Sequence, residues 1–319
     1  MTLPVDLDNL LRRQVSLKSY TTYKIGGAAR FFAEPATRDE LIRLLEFRKS
    51  EGLSLLVIGR GSNLLISDAG FQGLALSLRR LEPVHHRVER HDCLIVSGGM
   101  SLARLAQITA DESLAGAEFL CHIPGTVGGA IMMNAGFGRR GHEPHEIKDI
   151  LESFTVLNLD IPDQLKLWRR EEFVFDYRKT NIPSSAVILE ARFRLDRKAG
   201  ELVTEEIRAN FAYRNAVQDL RYPSAGSTFK NPKTGAFTSG QLLDRVGMKG
   251  ERSGGAMVSE RHANFFLNVD HAFAHDVLTL MNLAKRRVFE QFGVDLEPEV
   301  RYVGSGSESE SLFEAVGVR

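Results

Sequence analysis

The sequence is poor in the features that mark several large protein classes. Only two cysteines occur in 319 residues, Cys93 and Cys121, and they form no CxxC pair. A disulfide framework and a Cys-based zinc site are therefore excluded, and a reducing, cytoplasmic setting is expected. Net charge is also lacking, because 41 basic residues balance 41 acidic ones. Nothing in that balance draws the chain to nucleic acid or another polyanion. No stretch approaches the roughly 18 consecutive apolar residues of a membrane helix, and the opening MTLPVDLDNLLRRQ has no apolar signal region. Neither secretion nor membrane insertion is expected. No internal repeat of about 20 to 50 residues is visible.

What the chain does have is a repeated switch between helix and strand patterns, over a length that suits two domains of about 100 to 200 residues each. TRDELIRLLEFRKSEG sets Thr37 and Glu40 at capping-box spacing, places Leu41, Leu44 and Leu45 on one face, and stops at Gly52. Strands are predicted over 53–58, near 74–78, over 93–96 and near 154–159, with a helix over 102–114 between the third and fourth. Residues 186–195 alternate, with Val187, Leu189, Ala191, Phe193 and Leu195 on the apolar side, as in a strand buried on one face. The clearest helix is 274–292, where Val277, Leu280, Met281, Ala284 and Val288 form one stripe and Gly293 supplies the cap. The charged stretch DRKAG at 196–200 marks a domain break. The division expected is 1–199, then 200–304, with the polar end 305–319 as a loose tail.

Two glycine-rich loops stand out. In VIGRGSNLLISDAGFQG, Gly59 and Gly61 permit close backbone approach, and Ser62, Asn63 and successive N–H groups suit phosphate oxygens. It is not GxGxxG, since position 64 is Leu, nor is it a Walker loop, and a plain strand-turn-strand explains it equally well. The second, IPGTVGGAIMMNAGFGRRG, holds six glycines in 19 residues together with Thr126 and Asn134. It suits main chain laid against a flat ligand, or tight packing around a helix start. Two such loops in one domain favour a cofactor site outside the Rossmann type.

TTYKIGGAARF, GRGSNLLISDAGFQG, IPGTVGGAIMMNAG, FDYR, SAGSTFKNP and LEPEVRYVG, taken in this order, resemble the UDP-N-acetylenolpyruvoylglucosamine reductase (MurB) family over nearly the whole chain. The resemblance implies an α+β protein. An FAD-binding domain of the vanillyl-alcohol-oxidase (PCMH) type over 1–199, in two subdomains split near 80, is followed by a C-terminal α+β substrate-binding domain over 200–304. It also implies NADPH-dependent reduction of an enolpyruvyl ether on a UDP-sugar, giving UDP-N-acetylmuramate for peptidoglycan. Noncovalent FAD would be held by Ile25, Gly59, Arg60, Gly61, Ser62, Asn63, Leu64, Pro124, Gly125, Thr126, Gly128, Gly129, Asn134 and Gly136. The short stretch between Arg178 and Ser227 leaves no room for the extra tyrosine-bearing loop of one family type, so the chain resembles the shorter type.

Reducing an enolpyruvyl group takes a hydride at one carbon, a proton at its neighbour and stabilisation of the charge between them. Ser227 in SAGSTFKNP matches the family's proton donor, although a serine beside glycine is elsewhere usually a turn residue. Arg178 in FDYRKTNIP matches the arginine at the substrate carboxylate, where a guanidinium offers two donors. The family's YRxS becomes YRKT here, with Thr180 retaining the hydroxyl. Glu299 in LEPEVRYVG matches the catalytic glutamate, with a salt bridge to Arg301 as the competing explanation. Lys230 and Asn231 are further substrate contacts that the motif implies, unless Lys230 is simply solvated.

GHEPHE at 141–146 is not HExxH, and Pro144 opposes a helix presenting both imidazoles, so no metal site is expected from His142 and His145. This stretch departs from the family's shorter turn. His262 in SERHANFFLN is expected to be structural. The alternatives at this point are another flavin oxidase or dehydrogenase of the same fold and a nucleotide-sugar-binding regulator without catalysis. No nucleic-acid or membrane partner is expected, and the oligomeric state is not readable.

Overall fold

The computed structural model describes residues 7, 9–81, 87–89, 92–138, 143–158, 161, 164–183, 186–233 and 235–304. The expected tail 305–319, His142 and the expected strand end at Leu159 lie outside them. The chain divides by packing into two units. One draws on Met1–Leu11, Ala33–Arg60 and Leu76–Ala216, and the other on Arg12–Phe32, Gly61–Ala75 and Val217–Arg319. Helices and mainly antiparallel strands make up both, so the fold is α+β.

The first unit is built on a five-stranded antiparallel sheet in the order Leu165–Arg169, Leu151–Asn158, Ala186–Arg194, Cys93–Ser97, Arg87–Glu89. The strand Ala186–Arg194 is central, and Ile188 is buried along with Val187, Ala191 and Phe193. The one-sided alternation read from sequence therefore understates its burial: a Cβ on Gly128, in the second glycine loop, would lie 3.4 Å from the Cβ of Ile188. Helix Leu102–Asp111 starts on the Ser101 cap, whose Oγ accepts from Arg104 N at 3.3 Å. It stops before the predicted Leu114 because Ser113 takes φ 56° and Leu114–Ala115 pairs with Asp196–Arg197. Thr37 caps helix Arg38–Ser50 by accepting from Glu40 N, but the Glu40 carboxylate returns to Ala36 N, one residue earlier than a capping box requires. Helix Gly200–Val217 packs in this unit as well. Arg214 donates to the carbonyl of His122, and the Cys121 thiol lies 3.8 Å from the carbonyl of Ile207.

The second unit surrounds helix Ala274–Phe292. Its predicted stripe, Val277, Leu280, Met281, Ala284 and Val288, is buried, and Gly293 closes it at φ 66°. At its other end the Asp68 carboxylate accepts from Ala274 N at 2.8 Å and His275 N at 3.2 Å, placing negative charge on the helix N-terminus. Leu64–Ile66 pairs in parallel with Arg301–Val303, and Arg252–Ser253, Ala256–Val258 and Phe266–Asn268 form an antiparallel sheet. These long-range pairings place 61–75 with the C-terminal region by packing, whereas the division expected along the chain puts it before a break near 80.

Candidate active site

In the second unit, Ser227 sits at an isolated antiparallel bridge to Phe265, just after Gly226 at φ 76°. Its neighbour Thr228 is held on both sides. Thr228 N donates to the carbonyl of Asn264 at 2.9 Å, and the Thr228 carbonyl accepts from Glu299 N at 2.8 Å. The backbone therefore brings Ser227 and Glu299 onto adjoining extended segments, and both are half-buried. Asn264, 3 % exposed, acts as a clamp: its Oδ1 accepts from Phe229 N at 2.9 Å and its Nδ2 donates to the Phe229 carbonyl at 2.8 Å. Asn63 reaches the same place, with Nδ2 donating to the Glu299 carbonyl at 3.0 Å while its own carbonyl accepts from Arg301 N.

Other expected residues of this unit have protein partners. Lys230 pairs with Glu297 at 2.5 Å, and Asn231 Oδ1 accepts from Ser239 N at the start of helix Ser239–Arg245. Ile25, expected at the cofactor, is fully buried in the core, and its carbonyl accepts from Thr21 Oγ1 at 3.0 Å. Gly61 takes φ 61°, where a Cβ would clash with the Tyr20 carbonyl, and Ser62 and Leu64 are half-buried. His262 Nδ1 accepts from Asn264 N at 3.3 Å, which assigns the proton to Nε2, and burial lowers its pKa. A neutral hydrogen-bonding imidazole is the structural role expected of it.

In the first unit, glycines let three backbone segments close together around Thr126. A Cβ on Gly59 would collide with Thr126 Oγ1, one on Gly98 with the Ile188 carbonyl, and one on Gly99 would come within 2.6 Å of the Leu78 carbonyl. Thr126 caps the short helix Val127–Met133 by accepting from Gly129 N, and Gly128 N donates to the Gly98 carbonyl at 2.8 Å. The Gly125 carbonyl accepts from Leu102 N. Pro124, Gly129 and Arg60 remain exposed. Gly98 and Gly99 were not singled out from sequence; the signal was the pair of glycines between the strand ending at Ser97 and the Ser101 cap.

Arg178 occupies the turn between Phe175–Asp176 and Lys179–Thr180 at φ 53°, a left-handed conformation that costs a non-glycine residue about 1–3 kcal/mol. Its Nη2 donates to the Gly136 carbonyl at 2.6 Å, its Nη1 lies 3.6 Å from Glu146 Oε1, and its guanidinium stands over the Tyr177 ring. Thr180 Oγ1 donates to the Met132 carbonyl at 3.0 Å, which is what the hydroxyl of this motif does here. Asn134, fully buried at φ 43°, ends helix Val127–Met133 and donates to Glu146 Oε2 at 2.8 Å and the Asp176 carbonyl at 3.0 Å. The departure at 137–146 thus supplies Glu146, which sequence reasoning passed over because a glutamate in a loop carries no local signal.

These residues fit a flat cofactor with phosphates. Between them, Gly59, Gly98, Gly99 and Gly128 keep side chains out of the crowded space around the Thr126 cap, and Gly129 beside it is exposed with no side chain to bar a ligand's approach. Asn134 Oδ1 is a buried acceptor with no donor among the described residues, a position that a ligand N–H would satisfy.

Comparison with known proteins agrees with this geometry. An FAD-binding domain model matches residues 29–160, and the model of the UDP-N-acetylenolpyruvoylglucosamine reductase C-terminal domain matches 218–303. The UDP-N-acetylenolpyruvoylglucosamine reductase of Syntrophus aciditrophicus is 39% identical over 291 residues, covering 90% of each chain. The chain belongs to the UDP-N-acetylenolpyruvoylglucosamine reductase (MurB) family. A second relative of that name, from Agathobacter rectalis, is 40% identical over 300 residues, covering 90% of this chain and 92% of its own. The crystal structure of the Thermus caldophilus reductase superposes with a TM-score of 0.74 at 33% identity, over 92% of this chain and 99% of that one. Membership places the Ser227 and Glu299 segment in the C-terminal domain that defines the reductases, not in the FAD-binding part. Among the described residues, no helix is long and apolar enough to cross a membrane.

Proposed function

We propose that this protein is an FAD-dependent reductase that uses NADPH to reduce the enolpyruvyl C=C bond of UDP-N-acetylglucosamine enolpyruvate, giving UDP-N-acetylmuramate for peptidoglycan. The observation that carries the reading is the juxtaposition of Ser227 and Glu299 through the Thr228 carbonyl, inside the domain characteristic of the family. The nucleotide-linked substrate and the scarcity of cysteine support a cytoplasmic enzyme, and the balanced charge gives no pull toward nucleic acid. Functionally, 1–199 is the FAD-binding part and 200–304 the substrate part, with helix Gly200–Val217 as the connector packed in the first unit.

FAD, held by the main chain around the Thr126 cap and by the GRGSN loop, would supply the hydride chemistry that links NADPH to the substrate double bond. The chain's residues do the rest. Ser227 holds a proton on Oγ and gives it to the carbon next to the one that receives hydride; the substrate enolate is basic enough to take it from an ordinary hydroxyl. Arg178 binds the substrate carboxylate and stabilises the charge that develops there. Glu299 completes the acid/base set beside Ser227, and Lys230 and Asn231 line the substrate's approach. The cofactor is noncovalent, since neither the GRGSN loop nor 123–134 contains a cysteine or a histidine.

The test is whether the purified, yellow protein oxidises NADPH only when the enolpyruvyl UDP-sugar is added, and whether acid precipitation releases all the colour to the supernatant. Colourless protein, or NADPH consumption indifferent to that substrate, would contradict the reading; colour left in the pellet would contradict noncovalent attachment.

A further inference from the structure

Glu146 is a half-buried carboxylate not among the residues assigned to substrate or cofactor, yet three groups converge on its side chain and its main-chain N–H is also taken. Asn134 Nδ2 donates to its Oε2 at 2.8 Å, Lys148 Nζ lies 2.5 Å from the same oxygen, Arg178 Nη1 lies 3.6 Å from Oε1, and Glu146 N donates to Asp149 Oδ2 at 2.8 Å. Its place is fixed by the two-residue antiparallel pairing of Glu146 with Gly136 and His145 with Phe137. Gly136 is also the residue whose carbonyl takes the Arg178 guanidinium. A side chain at 136 would crowd Glu146, lying 2.8 Å from its Cγ.

The connection to Arg178 is doubled. One route is the direct ion pair. The other runs through Asn134, whose two amide hydrogens go to Glu146 and to the Asp176 carbonyl, the latter in the hairpin that carries Arg178 at its turn. Both partners of that amide are acceptors, so its orientation is unambiguous. Arg178 is thereby held at its strained φ and aimed by groups other than those assigned to the substrate.

We propose that Glu146 is a positioning residue that pre-orders Arg178 for the substrate carboxylate. The inference rests on the reading of Arg178 given above. An arginine fixed before binding loses less side-chain freedom when the carboxylate arrives, so Glu146 strengthens recognition of the carboxylate and not of the UDP-sugar as a whole.

The experiment titrates the oxidised FAD-loaded enzyme, without NADPH, with two ligands read by the flavin absorbance change. These are the enolpyruvyl UDP-sugar and UDP-N-acetylglucosamine, which lacks the carboxylate. Glu146→Gln should weaken the first by about tenfold and leave the second within about twofold. In an Arg178→Ala background the same substitution should change the first by under about twofold, because the route it acts through is gone. Glu146→Asp, which keeps the charge one methylene short, should fall between wild type and Glu146→Gln. Equal losses for both ligands, an undiminished effect in the Arg178→Ala background, or failure of both Glu146 variants to retain FAD and fold would overturn the proposal and make the residue purely structural. If Arg178→Ala alone binds the two ligands with wild-type discrimination, the assignment of Arg178 falls instead.

Discussion

Asn63 and Glu299, 236 positions apart in sequence, are joined by a hydrogen bond of 3.0 Å from the Asn63 side-chain amide to the Glu299 main-chain carbonyl. The first glycine-rich loop thus reaches the segment bearing the glutamate directly. Asn63→Ala removes a net contribution of about 1 kcal/mol to stability. It should lower kcat/KM for the enolpyruvyl substrate by roughly tenfold with FAD affinity within about threefold of wild type, a split that follows from the amide facing Glu299. Steady-state kinetics together with FAD titration of the apoprotein check it. A loss confined to FAD affinity would show that the amide serves the cofactor.

The Asn264 clamp satisfies two main-chain groups of Phe229 in a buried setting. Asn264→Ala leaves both unmet, at about 1–3 kcal/mol each, so urea unfolding should show a total loss of about 2–6 kcal/mol. Turnover of the folded fraction should fall as well, since the clamp lies two residues from Ser227. A loss under about 1 kcal/mol would mean that water or a rearranged backbone replaces the clamp.

His122 and His262 both have pKa values lowered by burial. The unfolded chain therefore binds more protons than the folded one as pH falls from about 7 through the ordinary histidine value of about 6.5. Their contribution to stability is complete above that value and is lost as pH drops toward the lowered folded-state values. Carboxylates act at more acid pH, where Glu152, held at about 2 by Arg192, loses its charge. Chemical unfolding at pH 8, 6 and 5 should show stability flat and then falling, with a shallower fall in His262→Gln. A profile level from pH 8 to 5 would contradict this.

Local patterns were followed in part: the Thr37 and Glu40 spacing yields the Thr37 cap without the reciprocal bond of a capping box. The stripe on 274–292 and the cap at Gly293 were legible because period and terminator agree within one segment. Ser227, Arg178 and Glu299 were picked out through motifs, and the backbone brings the Ser227 and Glu299 segments together through Thr228. Contacts between distant segments were not legible. Helix 102–111 ends early because Leu114 is needed for pairing with Arg197. Residues 61–75 pack with the C-terminal region because Leu64–Ile66 pairs with Arg301–Val303. Glu146 acquires its role only when 145–146 folds back on 136–137. Asn134, expected at the cofactor, has both amide hydrogens committed to protein acceptors, a fact that no residue type or spacing discloses.

The central claim, that Ser227 supplies the proton, is tested most directly by stopped-flow absorbance of Ser227→Ala in two separate experiments. NADPH should reduce the variant enzyme at close to the wild-type rate. Discharge of the reduced enzyme by the enolpyruvyl UDP-sugar should slow by about 100-fold to 10,000-fold, the usual worth of a positioned general acid. Discharge at the wild-type rate, or a defect confined to reduction by NADPH, would contradict the claim and make Ser227 a structural residue of its turn.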